Sequence, residues 1–329
     1  MQYFVTGATG FIGKRLVKKL LERKGTVVYF LLRKESADKV AELRSYWGVS
    51  AARAVPVFGD LKSKKLGVAA EDVKKLKGQI DHFHHLAAVY DLSADTESQV
   101  AVNVEGTRNT VEFARAIDAG HFHHVSSIAA AGLYEGVFRE DMFDEAEGLD
   151  HPYFQTKHES EKIVRQESVV PWTVYRPALV VGDSKTGEID KIDGPYYFFK
   201  LIQRTRQWLP PWMPSVGVEG GRINIVPVDF VVACLDHISH SKVELKGKCF
   251  HLVDPVGYRV GDVLDIGPAF GDLVLPSALQ GRYLLLAAGS GITPLMSMSR
   301  ALHDLASDAD IVFVHCARTP ADVVFAEEL

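Results

Sequence analysis

Short apolar runs alternate with longer stretches in which apolar and polar positions recur at helical spacing, and this rhythm holds through the first half of the chain. Gln2 to Thr6 is a short apolar run that reads as a buried strand, and a helix is expected from about Gly13 to Arg23. Further apolar runs predict strands at Thr26 to Leu32, Val55 to Phe58 and Asp81 to Leu86, with the charged segment Lys62 to Lys77 mostly helical. A helix is expected over Val100 to Ala116, a fifth strand is followed by Val125-Ser126-Ser127-Ile128, and another ends at Arg176-Pro177. Strands alternating with helices predict an α/β fold, a Rossmann-type doubly wound parallel sheet with helices on both faces. Asn224 to Val228 and a helix from Asp229 to His240 read as completing a small C-terminal substrate lobe, drawn mainly from residues 183–225 and 240–260. A short βαβ-like tail is expected over 261–329.

Size and charge narrow the function classes. The chain has 329 residues, enough for one large α/β domain or two smaller ones. Its formal net charge of −5 provides no basic field for nucleic acid or an anionic membrane surface. The chain opens on a strand rather than a secretory leader, and no stretch reaches about 18 uninterrupted apolar residues. A cytoplasmic protein without an integral membrane segment is therefore expected. Cys234, Cys249 and Cys316 lie far apart without C-x-x-C spacing, which fits reduced thiols packed as small hydrophobes.

The first candidate site is the turn after the first strand. Gly7, Gly10 and Gly13 form G-x-x-G-x-x-G between a strand and a helix, with Thr9, Phe11 and Ile12 between them. Missing side chains let the backbone approach a pyrophosphate, and the helix N-terminus supplies unpaired N–H groups and a positive dipole end. A dinucleotide belongs there. In such folds the residue about 20 positions after the glycines reads the adenosine ribose, an acid selecting NAD and an arginine accommodating a 2′-phosphate. Arg33 and Lys34 occupy that place, which favours NADPH; the alternative is a solvated basic loop. Asp60, followed by Leu61, ends the third strand where a carboxylate could accept from the adenine amino group. Leu86, Ala87 and Ala88 end the fourth, where small residues let the nicotinamide side lie against the backbone. Asn103, a further candidate cofactor contact, falls inside the next helix, where a buried amide fixes a backbone irregularity or a water.

Two histidine clusters, at 82–85 and 121–124, raise the question of a metal. Neighbouring side chains on a strand point to opposite faces, so each cluster offers only two histidines per face, with no carboxylate-rich partner motif. Histidines satisfied by hydrogen bonds are the expectation, and no metal.

The second candidate site joins Ser126-Ser127 at the end of the fifth strand to Tyr153 and Lys157 on a later helix. Positions i and i+4 share a helix face, so Tyr153 and Lys157 point into the same space. An ammonium stabilises a phenolate and brings the phenol, with a pKa near 10, toward working pH. Tyr153 can then donate a proton to a carbonyl oxygen that Ser127 hydrogen-bonds, while hydride arrives from a nicotinamide. Lys157 would also hold the nicotinamide ribose. The strand end at Arg176 and Pro177 faces the same region and adds two candidate cofactor contacts.

TGATGFIG, GDL, HLAA, NVEGT, HVSSIAAAG, YFQTK and YRPALVVG, in this order, resemble an extended short-chain dehydrogenase/reductase over residues 1 to about 260. HPYFQTKHESEK, DGPYYFFKLIQ, GVEGGRINIVPVDFV and CFHLVDP narrow the likeness to the N-terminal reductase module of bacterial alcohol-forming fatty acyl-CoA reductases. That resemblance implies an NADPH-dependent oxidoreductase acting on a small-molecule acyl substrate, a long-chain fatty aldehyde or fatty acyl thioester. It puts Tyr153, Lys157 and Ser127 in the catalytic positions, with Ser127 preferred to Ser126 because it stands two residues before an Ala-Ala pair. Tyr196, Tyr197, Phe198, Phe199, Trp208 and Trp212 are open to two readings: walls of an acyl-chain tunnel, or core and a contact between copies in a homo-oligomer.

Past about Val260 the character changes. GDVLDIGPAFGDLVLP, RYLLLAAGSGITPLMSMSRAL and IVFVHCARTPADVVFAEEL resemble the start of the pyridine-nucleotide half of a ferredoxin-NADP reductase type flavoenzyme. The resemblance marks Gly289, Gly291, Thr293 and Pro294 as a pyrophosphate turn and Arg318 as an adenosine reader. The flavin-binding barrel is missing, so the expectation is one working Rossmann domain with a foreign tail, joined within V-G-D-V-L. Two other functions share these motifs: a nucleotide-sugar epimerase or dehydratase, which would retain NAD and which Arg33 argues against, and an NADP-binding chimera without turnover.

Overall fold

The computed structural model describes residues 1–88, 100–190 and 222–255, together with the strands at 258–259, 282–288 and 310–316. Residues 1–180 and 225–255 make one compact unit, and residues 181–224 and 256–329 a second.

The first unit is built on a seven-stranded sheet. Its strands are β1 (Gln2–Thr6), β2 (Val27–Leu32), β3 (Ala54–Phe58), β4 (His82–His85), β5 (His121–Val125), β6 (Trp172–Pro177) and, after three short strands outside the sheet, β10 (Lys248–Leu252). The order is β3-β2-β1-β4-β5-β6-β10, and every neighbouring pair is parallel. Tyr3, Phe4 and Val5 are each fully buried, as a central parallel strand covered on both faces requires. Tyr3 and Val5 enter one core with Leu16, Val17 and Leu20 of α1 (Phe11–Leu21). The short helices α2 (Lys39–Trp47) and α3 (Ala70–Leu76) follow β2 and β3. Phe4 enters the opposite core with Phe83, Phe122 and Phe113, the last on α4 (Gly106–Ala116). Helices therefore cover both faces. The order reverses between β1 and β4, and that switch point opens a crevice at the carboxyl ends of the strands.

Two elements expected at the substrate lobe lie in the first unit. The helix expected at Asp229 to His240 is α6 (Val228–Ser239), following α5 (Pro152–Glu167), and it belongs to the first unit. Its Val228, Val231, Val232 and Leu235 recur at helical spacing and fill the core that holds Leu16, Val17 and Leu20 of α1. Arg23, just past α1, donates to both carboxylate oxygens of Asp236, at 2.5 and 3.0 Å. Residues 248–252 are likewise the sheet's edge strand: Lys248 to Leu252 pair with Thr173 to Pro177 of β6.

The short strand β7 (Leu179–Val181), whose first two residues close the first stretch of that unit, pairs with β9 (Ile225–Pro227), where the unit resumes. The second unit contains the antiparallel pair of β8 (Arg222–Ile223) and β11 (Tyr258–Arg259). In its tail, β12 (Arg282–Ala288) and β13 (Asp310–Cys316) form a parallel ladder from Arg282↔Asp310 to Ala288↔Cys316. A parallel pair needs a crossover, so the strand–helix–strand expectation for the tail holds in its strands. Gly289, Gly291, Thr293, Pro294 and Arg318 lie outside the described residues, as do the aromatics between 193 and 213. Among the described residues no helix is long and apolar enough to cross a membrane.

Candidate active site

The phosphate turn is built by backbone that only glycine permits. Gly7 has φ +76°, and a Cβ there would meet the Ala87 nitrogen at 2.7 Å and the Leu86 carbonyl carbon at 2.9 Å. A Cβ on Gly13 would run into the Gly7 carbonyl oxygen. Gly10 donates to that oxygen at 2.9 Å and caps α1, which starts at Phe11, two residues earlier than the glycine spacing predicts. Phe11, Ile12 and Gly13 therefore supply first-turn N–H groups, with no acidic side chain beside them. The cradle that side chains would fill is thus kept open, and it fits a pyrophosphate.

Beside the turn lies a cavity of about 350 Å³ lined by Gly7, Thr9, Arg33, Asp60, Leu61 and Ala87 among others. Ser36, Lys39, Lys62 and Val102 also line it and carry no motif that marks them in the sequence. Lys39 begins α2, whose apolar signal is slight because only Leu43 and Trp47 are buried. Arg33, Ser36 and Lys39 bring two cations and a hydroxyl to the end of β2. Lys34 is exposed and lines no part of this cavity. Asp60 accepts from the Lys62 backbone at 2.9 Å, which shapes the loop after β3.

A hydrogen-bonded chain ties this cavity to the helix after β4. Ala87 N–H donates to Thr6 Oγ1 (3.4 Å), Thr6 bonds His85 Nδ1 (2.7 Å), and His85 Nε2 bonds Thr107 Oγ1 (3.1 Å). Thr107 in turn donates to the Asn103 carbonyl at 2.6 Å. Because Thr107 spends its hydrogen on Asn103, His85 is the donor at Nε2 and accepts at Nδ1, as a neutral ring does. Burial, then His124 and Lys157 nearby, hold the His85 pKa well below its ordinary value. Asn103 is buried in a π-helical turn, Val100–Glu105, and its Nδ2 donates to Thr156 at 3.4 Å. The backbone irregularity expected of Asn103 is this turn.

On α5 the buried face is polar. His151 caps the helix by accepting from the Tyr153 backbone at 3.2 Å, Pro152 opens it, and Tyr153, Thr156, Lys157, Ser160 and Glu161 all face inward. Tyr153 and Lys157 are each 6% exposed. Burial brings the Lys157 pKa down to about 8, against the upward pull of Glu161.

The two adjacent serines differ. Ser126 donates to Glu161 Oε2 at 2.9 Å and is buried. Ser127 caps the short 3₁₀ turn Ile128–Ala131 by accepting from the Ala129 backbone at 3.1 Å, and no acceptor takes its hydroxyl hydrogen among the described residues. Arg176 departs from expectation. It is fully buried, donating from Nε and Nη2 to Glu161 at 3.0 and 2.7 Å and from Nη2 to the Met142 carbonyl at 3.0 Å. A strand-end arginine points to one face of the sheet, and here that face holds the buried carboxylate of Glu161. Pro177 is buried beside it.

His82, His84, His121 and His123 share one face of the sheet and His85 and His124 the other. His82 bonds His123 at 3.0 Å, His123 bonds the Tyr175 hydroxyl at 2.9 Å, and His121 bonds Thr173 at 2.7 Å. Both ring nitrogens of His84 and of His124 lack a hydrogen-bond partner among the described residues, and these rings stack on His123 and His85. No group of three or more His, Cys, Asp or Glu that could hold a metal occurs among the described residues.

A family model described as "Male sterility protein", an NAD-binding family, matches residues 5–235, and a second, "Oxidoreductase NAD-binding domain", matches 285–329. A linear gramicidin synthase component of Brevibacillus parabrevis is 29% identical over 79% of this chain and 5% of its own length. CG8303 of Drosophila melanogaster, named for fatty acyl-CoA reduction, is 25% identical over 70% of this chain and 50% of its own. Among solved structures, the terminal R domain from the myxalamid PKS-NRPS biosynthetic pathway superposes with a TM-score of 0.66 at 29% identity, covering 78% of this chain and 66% of that one. The chain spans half or less of the length of the gramicidin synthase component and of CG8303.

Proposed function

Since the chain belongs to the male sterility protein family of extended short-chain dehydrogenase/reductases, we propose that it reduces the carbonyl of a long-chain fatty aldehyde or acyl thioester with NADPH. The observation that carries this is the polar buried face of α5, which sets Tyr153 one turn from a lysine that burial holds at about 8, beside a strand end whose Ser127 keeps its hydrogen. NADPH, when bound, supplies the hydride. Lys157, as an ammonium, supports the Tyr153 phenolate and the ribose. Tyr153 gives its proton to the carbonyl oxygen, and Ser127 donates a hydrogen bond to the same oxygen as charge gathers there. Gly7, Thr9, Gly10, Phe11, Ile12 and Gly13 receive the pyrophosphate. Arg33 with Ser36 and Lys39 reads the 2′-phosphate, Asp60 and Leu61 flank the adenine, and Leu86, Ala87 and Ala88 carry the nicotinamide side. Asn103 is assigned to the turn that backs this side rather than to a direct contact.

The test is loss of nicotinamide absorbance with a long-chain aldehyde and, separately, an acyl-CoA. The Tyr153→Phe variant is expected to lose about 10² to 10⁴ in kcat while still binding NADPH. Full turnover in that variant, or none by the wild type with either substrate, sinks the proposal.

A further inference from the structure

Two side-chain bonds from α5 flank Ser127. On one side Ser126 Oγ donates to Glu161 Oε2 at 2.9 Å; on the other, His158 Nδ1 donates to the Ala130 carbonyl at 3.0 Å. Both anchors are themselves held. Glu161 is fully buried and accepts from Arg176 Nε and Nη2 and from Arg165 Nε at 2.9 Å, so its carboxylate has little freedom to move. The ring of His158 lies flat on Phe143, 4.3 Å between centroids and 4° between planes. Glu161 stands one turn beyond Lys157 and two beyond Tyr153 on the same buried face.

We propose that this pair of bonds is a bracket that sets the distance between Ser127 and the Tyr153–Lys157 face of α5, with Ser126, Glu161 and His158 as positioning residues. It rests on the reductase function argued above. Ser127 itself spends its oxygen on the turn it caps. A serine and a tyrosine that must meet on one carbonyl oxygen come from elements separated by a long loop, and without a strut their spacing would drift. Chemistry of this kind tolerates little displacement. Ser126 therefore acts through its neighbour: adjacent Cα atoms are about 3.8 Å apart, and pinning one side chain on Glu161 fixes the backbone that carries the other.

The test compares the full chain with Ser126→Ala, which removes one strut and leaves the Glu161–arginine pairs intact, with Ser126→Thr, which keeps the hydroxyl, and with Ser126→Ala combined with His158→Phe, which keeps the ring stack but loses the second strut. Turnover and NADPH affinity are measured together with amide hydrogen exchange of residues 125–131. Ser126→Ala is expected to lower kcat roughly tenfold, and the double variant on the order of a hundredfold, with NADPH affinity unchanged and Ser126→Thr restored. Exchange should quicken in 125–131 and not in β1 or α1. A wild-type kcat in Ser126→Ala overturns the bracket, as does unchanged exchange in that segment, or a fall in NADPH affinity that tracks the loss of rate. A wild type that reduces neither aldehyde nor acyl-CoA fails the functional proposal instead, and the exchange comparison then decides the bracket alone.

Discussion

Burial is the first cause of the lowered Lys157 pKa, about 8, and the direction of that change sets a pH dependence. In the proposed reaction the ammonium is the form that supports the phenolate, so kcat should hold below pH 8 and fall as pH rises through it. Lys157→Arg keeps its charge at any working pH, and any residual activity it retains should not show that limb. The groups around the lysine are His85 from β4, His124 from β5 and Glu161 from its own helix, and of these only Glu161 favours the charge. At the other end of the site, Arg33→Ala should raise KM for NADPH by roughly 10- to 100-fold, the worth of about 1.5–3 kcal/mol for a charged hydrogen bond, and leave KM for NADH unchanged. Initial-rate measurements with both cofactors check this. Single residues of this sort are legible in the sequence because each is tied to local spacing: four residues on a helix, three between glycines. The commitment of Arg176 to Glu161 is not, since nothing in the local sequence reveals which face of a strand its side chain enters or what waits there.

At the scale of elements, the turn from β1 into α1 has no slack. A methyl on Gly13 meets the Gly7 carbonyl oxygen, and relieving that contact moves the loop proposed to receive the pyrophosphate. Gly13→Ala should therefore cost about 1–3 kcal/mol of stability, in the range of overpacked cores, and weaken NADPH binding more than tenfold in a fluorescence titration. β1 and β2 are readable because they are central strands, largely buried and nearly continuously apolar. Lys248–Leu252 is not, because an edge strand reads K-C-F-H-L, with one exposed and two half-buried positions. Its partner is β6, 75 residues earlier in the register His251↔Arg176, and long-range pairing leaves no mark on a short window. The existence of α6 is legible and its place is not, for a similar reason: periodicity announces an apolar stripe without naming the core that receives it.

The whole sheet carries a liability to acid. Burial is the main reason that His82 titrates at about 4 and His124 at about 3, and that His84, His85 and His123 lie well below their ordinary value of 6.5. In the unfolded chain these rings take up protons near 6.5, whereas the folded protein keeps them neutral. Their stabilising effect is complete above that pH and is lost as pH falls toward 4. A pKa separation like that of His82 is worth roughly 3 kcal/mol for one imidazole, so the urea midpoint should drop steeply between pH 7 and pH 5. Replacing His84 by Phe, which keeps the stacking on His123, should flatten that slope. The pairing of β7 with β9 has a different bearing. It holds the two ends of the excursion between residues 181 and 225 as adjacent strands, about 4.8 Å apart. The first unit is thus left and re-entered through a single doorway, and lengthening the excursion costs only about 0.6 kcal/mol per doubling. An insert carried on one pair of adjacent strands can be exchanged like a tool in a chuck, by recombination at a single point and with no rearrangement of the seven-stranded sheet.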